Sequence, residues 1–486
     1  MEFEDSHAAK AVGVFGNGGG ADPYETILGR IRQQLSKDFS AEQLTNAGPS
    51  VTEAATRVAG QQFQHYNQEA LTKSMPRLML AEEQFVEMAL ADLLGMGAID
   101  TLLKDPTIED IAINGPDEVM AYRNGRWEKE NVSFPSAMRL LEILNRGLAH
   151  SNRKANMVTP IADAVLRDKE RISVVTYPVA SPYPTAVVRI PRAKRISLED
   201  MTRPPEAGSS EGQYLGGDGS PQSRGDVQAL FEDAGEELEE DTRSLLSRRA
   251  AAYLHAAVLA GLNIVAVGPT GSGKTTLLMA LGRKIPKGER ILIIEDTPEI
   301  DLYPGEPTPN NVLYLRTRPS TIEGLEAIEQ EHLVKLALRQ RPDALTLGEA
   351  RGAEVFDLLN ALNTGHKNGL TSLHAFGVEE LFSRIYLMLA QSERGRHLDA
   401  HRAANLVAST LHVAVSLEMI GRTRYVRTVA EVTGNVVQKG TSYEPEMKAI
   451  FQRGSALGRL EGPLHVSVHA EEFRRAGIPD PVFTPA

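Results

Sequence analysis

The chain contains no cysteine among its 486 residues. Disulfides, cysteine-ligated zinc and thiol nucleophiles are therefore excluded, and the composition suits a reducing compartment. Aromatic residues make up only 5%, with a single tryptophan, Trp127. That leaves little of the stacking surface on which proteins hold single-stranded nucleic acid. Positive charge is also in deficit, the formal net charge being −12, which argues against a protein that coats nucleic acid but leaves room for a local basic patch. The longest apolar runs, such as Ala256–Ala260 and Ile291–Ile294, fall far short of the roughly 20 residues of a membrane span. No basic stretch followed by an apolar one opens the chain, so no secretory signal is expected. What remains, 42% hydrophobic and 24% charged, is ordinary globular material, long enough for about three domains.

Against that background one run stands out: Gly268, Pro269, Thr270, Gly271, Ser272, Gly273, Lys274, Thr275 and Thr276. It matches G-x-x-x-x-G-K-[ST], a loop whose backbone N–H groups wrap a polyphosphate at the positive end of a helix. The context agrees, with Leu262–Val267 read as a buried strand and Thr275–Leu281 as the following helix. Lys274 is placed to reach the β- and γ-phosphates of a nucleoside triphosphate, and the Thr275 hydroxyl to ligate magnesium.

The rest of the chain divides around this loop. Residues 1–21, with Gly16–Gly20, read as a disordered leader. Residues 22–97 form a helical region: Ile27, Leu28, Ile31, Leu35 and Phe39 keep one helical face, and Phe85, Met88, Ala89 and Leu93 another. Residues 98–202 read as an α+β domain, with a β-meander over Ile111–Glu130, a helix over Ala137–Leu148 and a strand over Thr185–Ile190. Residues 203–240 are Gly-, Ser- and Pro-rich, then acidic: seven of the ten residues Glu232–Asp241 are Asp or Glu. This is a flexible linker, its acidic run a solvated margin rather than a metal site. Residues 241–435 alternate helix and apolar strand, the pattern of a doubly wound α/β core, and 436–486 is a tail without clear periodicity.

Hydrolysis needs groups that orient water and hold metal, and an open parallel sheet supplies them at strand carboxyl ends. Ile291–Ile294 ends in Glu295-Asp296, and Ala344–Leu347 ends in Gly348-Glu349. Glu349 is the better candidate for polarising water and contacting magnesium; Glu295 could support either task. A carboxylate at a strand end is more often only a cap. His366 and His374 straddle a turn before another strand, and a histidine there is usually structural. No third ligand stands near them, so a metal site is not expected.

Taken together, Gly268–Thr275, Ile291–Glu299, Arg341–Arg351 and Thr364–Ala375 resemble the Walker A, Asp box, Walker B and His box of the type II/type IV secretion ATPases, in order and spacing. Leu94–Leu103 and Ile108–Asp117 are similar to the Tad/CpaF-like branch, which drives pilus assembly and secretion. The resemblance implies a RecA-like motor core preceded by a smaller α+β domain and a helical region, working as a cytoplasmic homohexamer at the inner face of the bacterial inner membrane. It implies ATP and Mg2+ as ligands, a membrane-embedded platform protein as partner, and His366 and His374 in γ-phosphate sensing or at an interface. It also implies an arginine finger from Val188–Arg195, with Arg189 the best match and Arg192 the alternative. Ile190 stands where the family has Lys, and four basic residues in seven would also make a solvated surface. The linker 203–240 is expected to act as the hinge. Conjugative type IV secretion is a neighbouring reading, and a nucleic-acid translocase shares the same core but not the expected basic, aromatic channel.

Overall fold

The structure, a computed structural model, describes residues 23–40, 43–44, 47–73, 75–123, 126–134, 136–149, 151, 153–166, 170–190, 196–203, 227, 244–304, 307–318, 326–420, 423–440, 442–454 and 458–485. The expected leader 1–21, the Asn124-Gly125 turn, Arg192 and nearly all of 203–240 lie outside these residues. The chain separates into two compact units, Met1–Arg192 and Ala193–Ala486.

In the first unit, helices α1 (Pro23–Asp38), α2 (Pro49–Lys73) and α3 (Glu82–Leu94) close on one apolar cluster. The expected faces are the buried ones: Ile27, Leu28 and Ile31 are fully covered, and Phe63 and Phe85 stack at 4.9 Å. After α4 (Ala98–Lys104) comes a six-stranded antiparallel sheet ordered β3-β2-β1-β6-β5-β4. Its strands are β1 (Ile108–Gly115), β2 (Glu118–Arg123), β3 (Arg126–Lys129), β4 (Ile161–Val165), β5 (Arg171–Val175) and β6 (Thr185–Arg189). Alternation along each strand sends Ile111, Ile172 and Val188 into a core with Leu140, Ile143 and Leu144 of α5 (Ala137–Ala149). The helical region and the sheet belong to one unit. Arg139 and Arg146 of α5 both donate to the Asp92 carbonyl near the end of α3, where a helix leaves its carbonyls unpaired and favours cations.

The second unit is built on a nine-stranded sheet ordered β15-β14-β13-β12-β7-β11-β10-β8-β9. Strands β7 (Ile264–Val267), β8 (Arg290–Glu295), β9 (Asn311–Arg316), β10 (Ala344–Leu347), β11 (Lys367–Leu373) and β12 (Val413–Ile420) run parallel. Helices α6 (Arg248–Leu259) and α7 (Lys274–Gly282) contribute to one apolar cluster of this unit. Helices α8 (Gln330–Ala337), α9 (Glu354–Asn363), α10 (Leu381–Leu389) and α11 (Ala400–Ala408) contribute to the other. Burial on both faces explains why Ile264–Val267 and Ala344–Leu347 are unbroken apolar or β-branched runs.

Two boundaries differ from expectation. Residues 436–486, expected as a tail without clear periodicity, carry regular elements among their described residues. Antiparallel strands β13 (Thr423–Lys439), β14 (Ser442–Arg453) and β15 (Leu460–Glu461) extend the sheet, followed by α12 (Ala470–Arg475). Phe451, Phe473 and Phe483 are fully buried, the first two against Tyr253 of α6 and the last stacked on Phe473 at 5.0 Å. The buried Glu431 carboxylate accepts from Tyr253 Oη at 2.6 Å and Val468 N at 3.0 Å, and from Ser467 Oγ. An unpaired carboxylate there would be costly, so these donors hold the segment in place. The second boundary concerns the hinge. Leu198 and Met201 are already buried in the motor unit, Leu246 N donates to Met201 O at 3.0 Å, and Glu199 pairs with buried Lys284 at 2.7 Å. Leu198, Met201 and Leu246, on either side of the segment expected as the hinge, therefore pack in the same unit. The division between units falls at Arg192/Ala193, upstream of the expected hinge.

Candidate active site at the strand carboxyl ends

The phosphate loop follows β7 and opens α7. Gly273 stands at φ 96°, a left-handed backbone that a side chain would strain. A Cβ on Gly268 would lie 2.5 Å from the Leu417 carbonyl of β12, so only glycine lets the loop pass this close. The loop is braced from the far side by Arg424, whose Nε donates to the Gly271 carbonyl at 2.8 Å. Ser272 Oγ is buried inside the loop, with no hydrogen-bond partner among the described residues. A wrapped loop with an unpartnered hydroxyl at a helix N-terminus fits a polyphosphate.

Lys274 is buried and donates to the carbonyls of Gly268 and Pro269, both at 2.9 Å. Burial pulls its ammonium below the ordinary lysine range, while the charges of Glu349 and Glu299 oppose that shift. Nζ also stands 3.3 Å from His374 Nδ1. An ammonium can only donate, so Nδ1 is the acceptor and Nε2 carries the proton. Nε2 in turn lies 2.8 Å from Glu349 Oε1. Burial, then the Lys274 charge, lowers the His374 pKa and keeps the ring neutral near pH 7. The parallel register, Leu373 beside Val267 and Leu347 beside Thr371, brings these three residues to one edge of the sheet.

Glu349 is half-buried. Burial alone would raise its carboxyl, but the Arg351 hydrogen bond and the charges of Arg351, His374 and Lys274 outweigh burial and hold it below the ordinary value. It is ionised at neutral pH. Arg351 NH2 donates to Glu349 Oε2 at 2.5 Å.

Glu295 ends β8 on the same edge, but its carboxylate turns onto its own loop. Oε1 accepts from Glu299 N at 3.1 Å and Ile300 N at 2.9 Å. Burial pushes its pKa up to about 7, against the lowering effect of those two amides. Its side chain packs under Gly348, where a Cβ would stand 3.1 Å from Glu295 Cγ. The carboxylate that reaches the phosphate loop is Glu299, whose Oε2 accepts from Thr275 Oγ1 at 3.2 Å.

His366 falls elsewhere. It precedes β11 whereas His374 follows it, so the strand's seven residues, about 20 Å at ~3.3 Å each, separate them. A γ-phosphate-sensing role for His366 within its own motor unit is thereby excluded. Arg189 ends β6 in the first unit, exposed on the sheet, with Asp110 of β1 and Arg171 of β5 opposite it. Burial raises the Asp110 pKa and Arg189 opposes that shift.

Sequence reasoning missed Glu299, Arg351, Arg424 and Arg171. The first two lie within the segments Ile291–Glu299 and Arg341–Arg351, so spacing from the strand ends could have raised them. Arg424 and Arg171 carry no local signal.

A family model described as type II/IV secretion system protein matches residues 229–456. The chain is 30% identical over 327 residues to the type IV secretion system protein VirB11 of Bartonella quintana (strain Toulouse), covering 66% of this chain and 87% of that protein. The chain belongs to the type II/IV secretion ATPase superfamily. It is an ATPase with a RecA-like core. Another relative of this secretion ATPase is the type IV secretion system protein PtlH of Bordetella pertussis (strain Tohama I / ATCC BAA-589 / NCTC 13251), 29% identical over 323 residues, 66% of this chain and 88% of that one. Among solved structures it resembles the VirB11 ATPase from the Brucella suis type IV secretion system in complex with sulphate. The identity is 27%, coverage 69% of this chain and 96% of that chain, and the TM-score 0.35. Among the described residues no helix is long and apolar enough to cross a membrane.

Proposed function

We propose that this secretion ATPase is the subunit of a homohexameric motor of the Tad/CpaF-like kind, hydrolysing ATP at the cytoplasmic face of the inner membrane and pushing on a membrane-embedded platform protein. The observation that carries the catalytic part is the convergence of Lys274, His374 and Glu349 at one sheet edge. In this reading the phosphate loop and Lys274 bind the β- and γ-phosphates. Glu349, ionised by its basic neighbours, orients and polarises the attacking water, and neutral His374 links the lysine to the glutamate. Glu295 acts through the backbone, fixing the loop that carries Glu299.

Thr275, Glu299 and Glu349 offer oxygen donors of the kind magnesium prefers. Among the described residues no three His, Asp or Glu side chains gather tightly enough to hold a metal by themselves. That fits an ion held by one or two carboxylates together with substrate phosphates. Magnesium, when bound, neutralises charge on the separating phosphates.

Charge on the transferring phosphoryl group also needs a cation from outside the loop, an arrangement that contributes about 10³–10⁵-fold in rate where it has been measured. Arg189, exposed at the end of β6, presents such a cation, and we assign the finger to Arg189 of an adjacent subunit. Mixing tests this together with the ring. Full-length Lys274→Ala and Arg189→Ala chains should each be nearly inactive, and their mixture should regain turnover as one supplies the arginine and the other the loop. A mixture no more active than its parts contradicts the shared site.

The type IV names of the relatives support conjugative or protein-translocating type IV secretion equally well. A nucleic-acid translocase would show DNA-stimulated hydrolysis with a steep salt dependence, which the acidic, aromatic-poor composition disfavours.

A further inference from the structure

The polar side chains at the motor's carboxyl edge follow the order of the sheet. Neighbouring strands run β7-β11-β10-β8-β9; β7 leads through the phosphate loop to Lys274, and the others contribute His374, Glu349 with Arg351, Asp296 and Thr317 just past their ends. Lys274 meets His374 at 3.3 Å and His374 meets Glu349 at 2.8 Å. Arg351 holds Glu349 at 2.5 Å and pairs with Asp296 Oδ2 at 3.7 Å. Thr317 Oγ1 closes the series by donating to Asp296 Oδ1 at 3.1 Å. Arg351 is the junction, because it joins the β10 and β8 ends through side chains. Its two terminal nitrogens reach different carboxylates, NH2 to Glu349 and NH1 to Asp296, a rigid span that a single ammonium would not reproduce.

We propose that Arg351 is a positioning residue for hydrolysis, its guanidinium paired with Asp296 and holding Oε2 of the Glu349 carboxylate in place. The proposal rests on Glu349 being the group that polarises water. It separates Arg351 from two simpler roles. A nucleotide-binding cation would chiefly change the affinity for ATP. A half-exposed surface ion pair would change almost nothing.

Steady-state hydrolysis by the full-length chain tests this with Arg351→Ala, Arg351→Lys, Asp296→Asn and Glu349→Gln, each checked for an unchanged melting curve. Arg351→Ala should lower kcat about 10–100-fold and move KM for ATP less than about threefold. Arg351→Lys should recover only part of the loss. Asp296→Asn should lower kcat about 3–10-fold, and adding it to Arg351→Ala should cost nothing more, since both remove one arrangement. Wild-type kcat in Arg351→Ala, a rise in KM at unchanged kcat, or additive losses in the double variant would each overturn the assignment. If Arg351→Ala fails to fold, the Lys and Asn variants decide alone, and wild-type turnover in both contradicts the proposal. A dead Glu349→Gln with a normal Arg351→Ala sinks only the positioning role. A normal Glu349→Gln sinks the reading beneath it.

Discussion

The two ends of the motor sheet carry similar residue types and use them differently. At the amino ends of the strands polar side chains are engaged mainly by backbone, with Arg290 NH1 also donating to Asn311 Oδ1 at 2.9 Å. Asp343 accepts from Arg290 N at 2.8 Å, Arg290 Nε donates to the Gln340 carbonyl, and Asn263 bridges Gly369 N and the Thr410 carbonyl. At the carboxyl ends side chains also engage one another across strands, from Lys274 through His374, Glu349 and Arg351 to Asp296, although Lys274 donates to two carbonyls of its own loop as well. Side chain–backbone bonds close a fold, because each satisfies a peptide group that burial would otherwise leave unpaired. Side chain–side chain contacts among charged groups leave lone pairs and charges open to a ligand, which is what chemistry requires. The difference teaches where to look: a charged residue tied to another strand's charged residue is the better functional candidate. Glu295 shows the rule within a single site, since it lies at the catalytic end yet is tied to backbone.

Four substitutions would break or sharpen that contrast. Lys274→Ala should have the largest effect, reducing ATP hydrolysis to background with the melting curve retained; persistent turnover would move the nucleotide site elsewhere. Next is the histidine pair on one strand. His374→Ala should lower kcat about tenfold or more, less than the roughly 10²–10⁴-fold of a direct general acid or base, whereas His366→Ala should leave the hydrolysis rate of each assembled motor unchanged. Equal losses from both would erase the distinction between the two ends. The smallest effect concerns stability rather than rate. Burial raises the Glu295 pKa from 4.5 to about 7, so the folded state binds its proton more tightly than the unfolded chain does. That contribution is fully present below about pH 4.5 and is lost as pH rises through 7, on the order of 3 kcal/mol at most. Glu295→Gln should flatten this part of the stability–pH profile measured by denaturant melts. An unchanged profile would show that the carboxyl is ionised in the fold.

Most of this motor was legible in the sequence for a physical reason. Strands buried on both faces must be continuous apolar runs, so Ile264–Val267, Ile291–Ile294 and Ala344–Leu347 announced themselves, and the glycines of the phosphate loop are required by its backbone. Their carboxyl ends then placed Lys274, Glu349 and His374 together. What was not legible depends on tertiary packing. Ser442–Arg453 mixes polar residues and Pro445 into a strand that pairs at a bulge with β13, so residues 436–486 lacked a readable period. The docking of Leu198 and Met201 onto the motor is invisible beside the Gly- and Ser-rich segment that follows. Spacing alone put both glutamates at the correct edge. It could not show that the Glu295 side chain bends back to two amides while Glu299, four residues on, reaches Thr275.

The most direct test of the account is the behaviour of full-length Glu349→Gln with ATP. Binding and turnover should come apart: nucleotide retained at close to wild-type affinity, and hydrolysis reduced about 100-fold or more, the scale on which general-base assistance operates. Turnover near the wild-type rate would contradict the claim that Glu349, ionised between Arg351 and His374, is the group that drives hydrolysis.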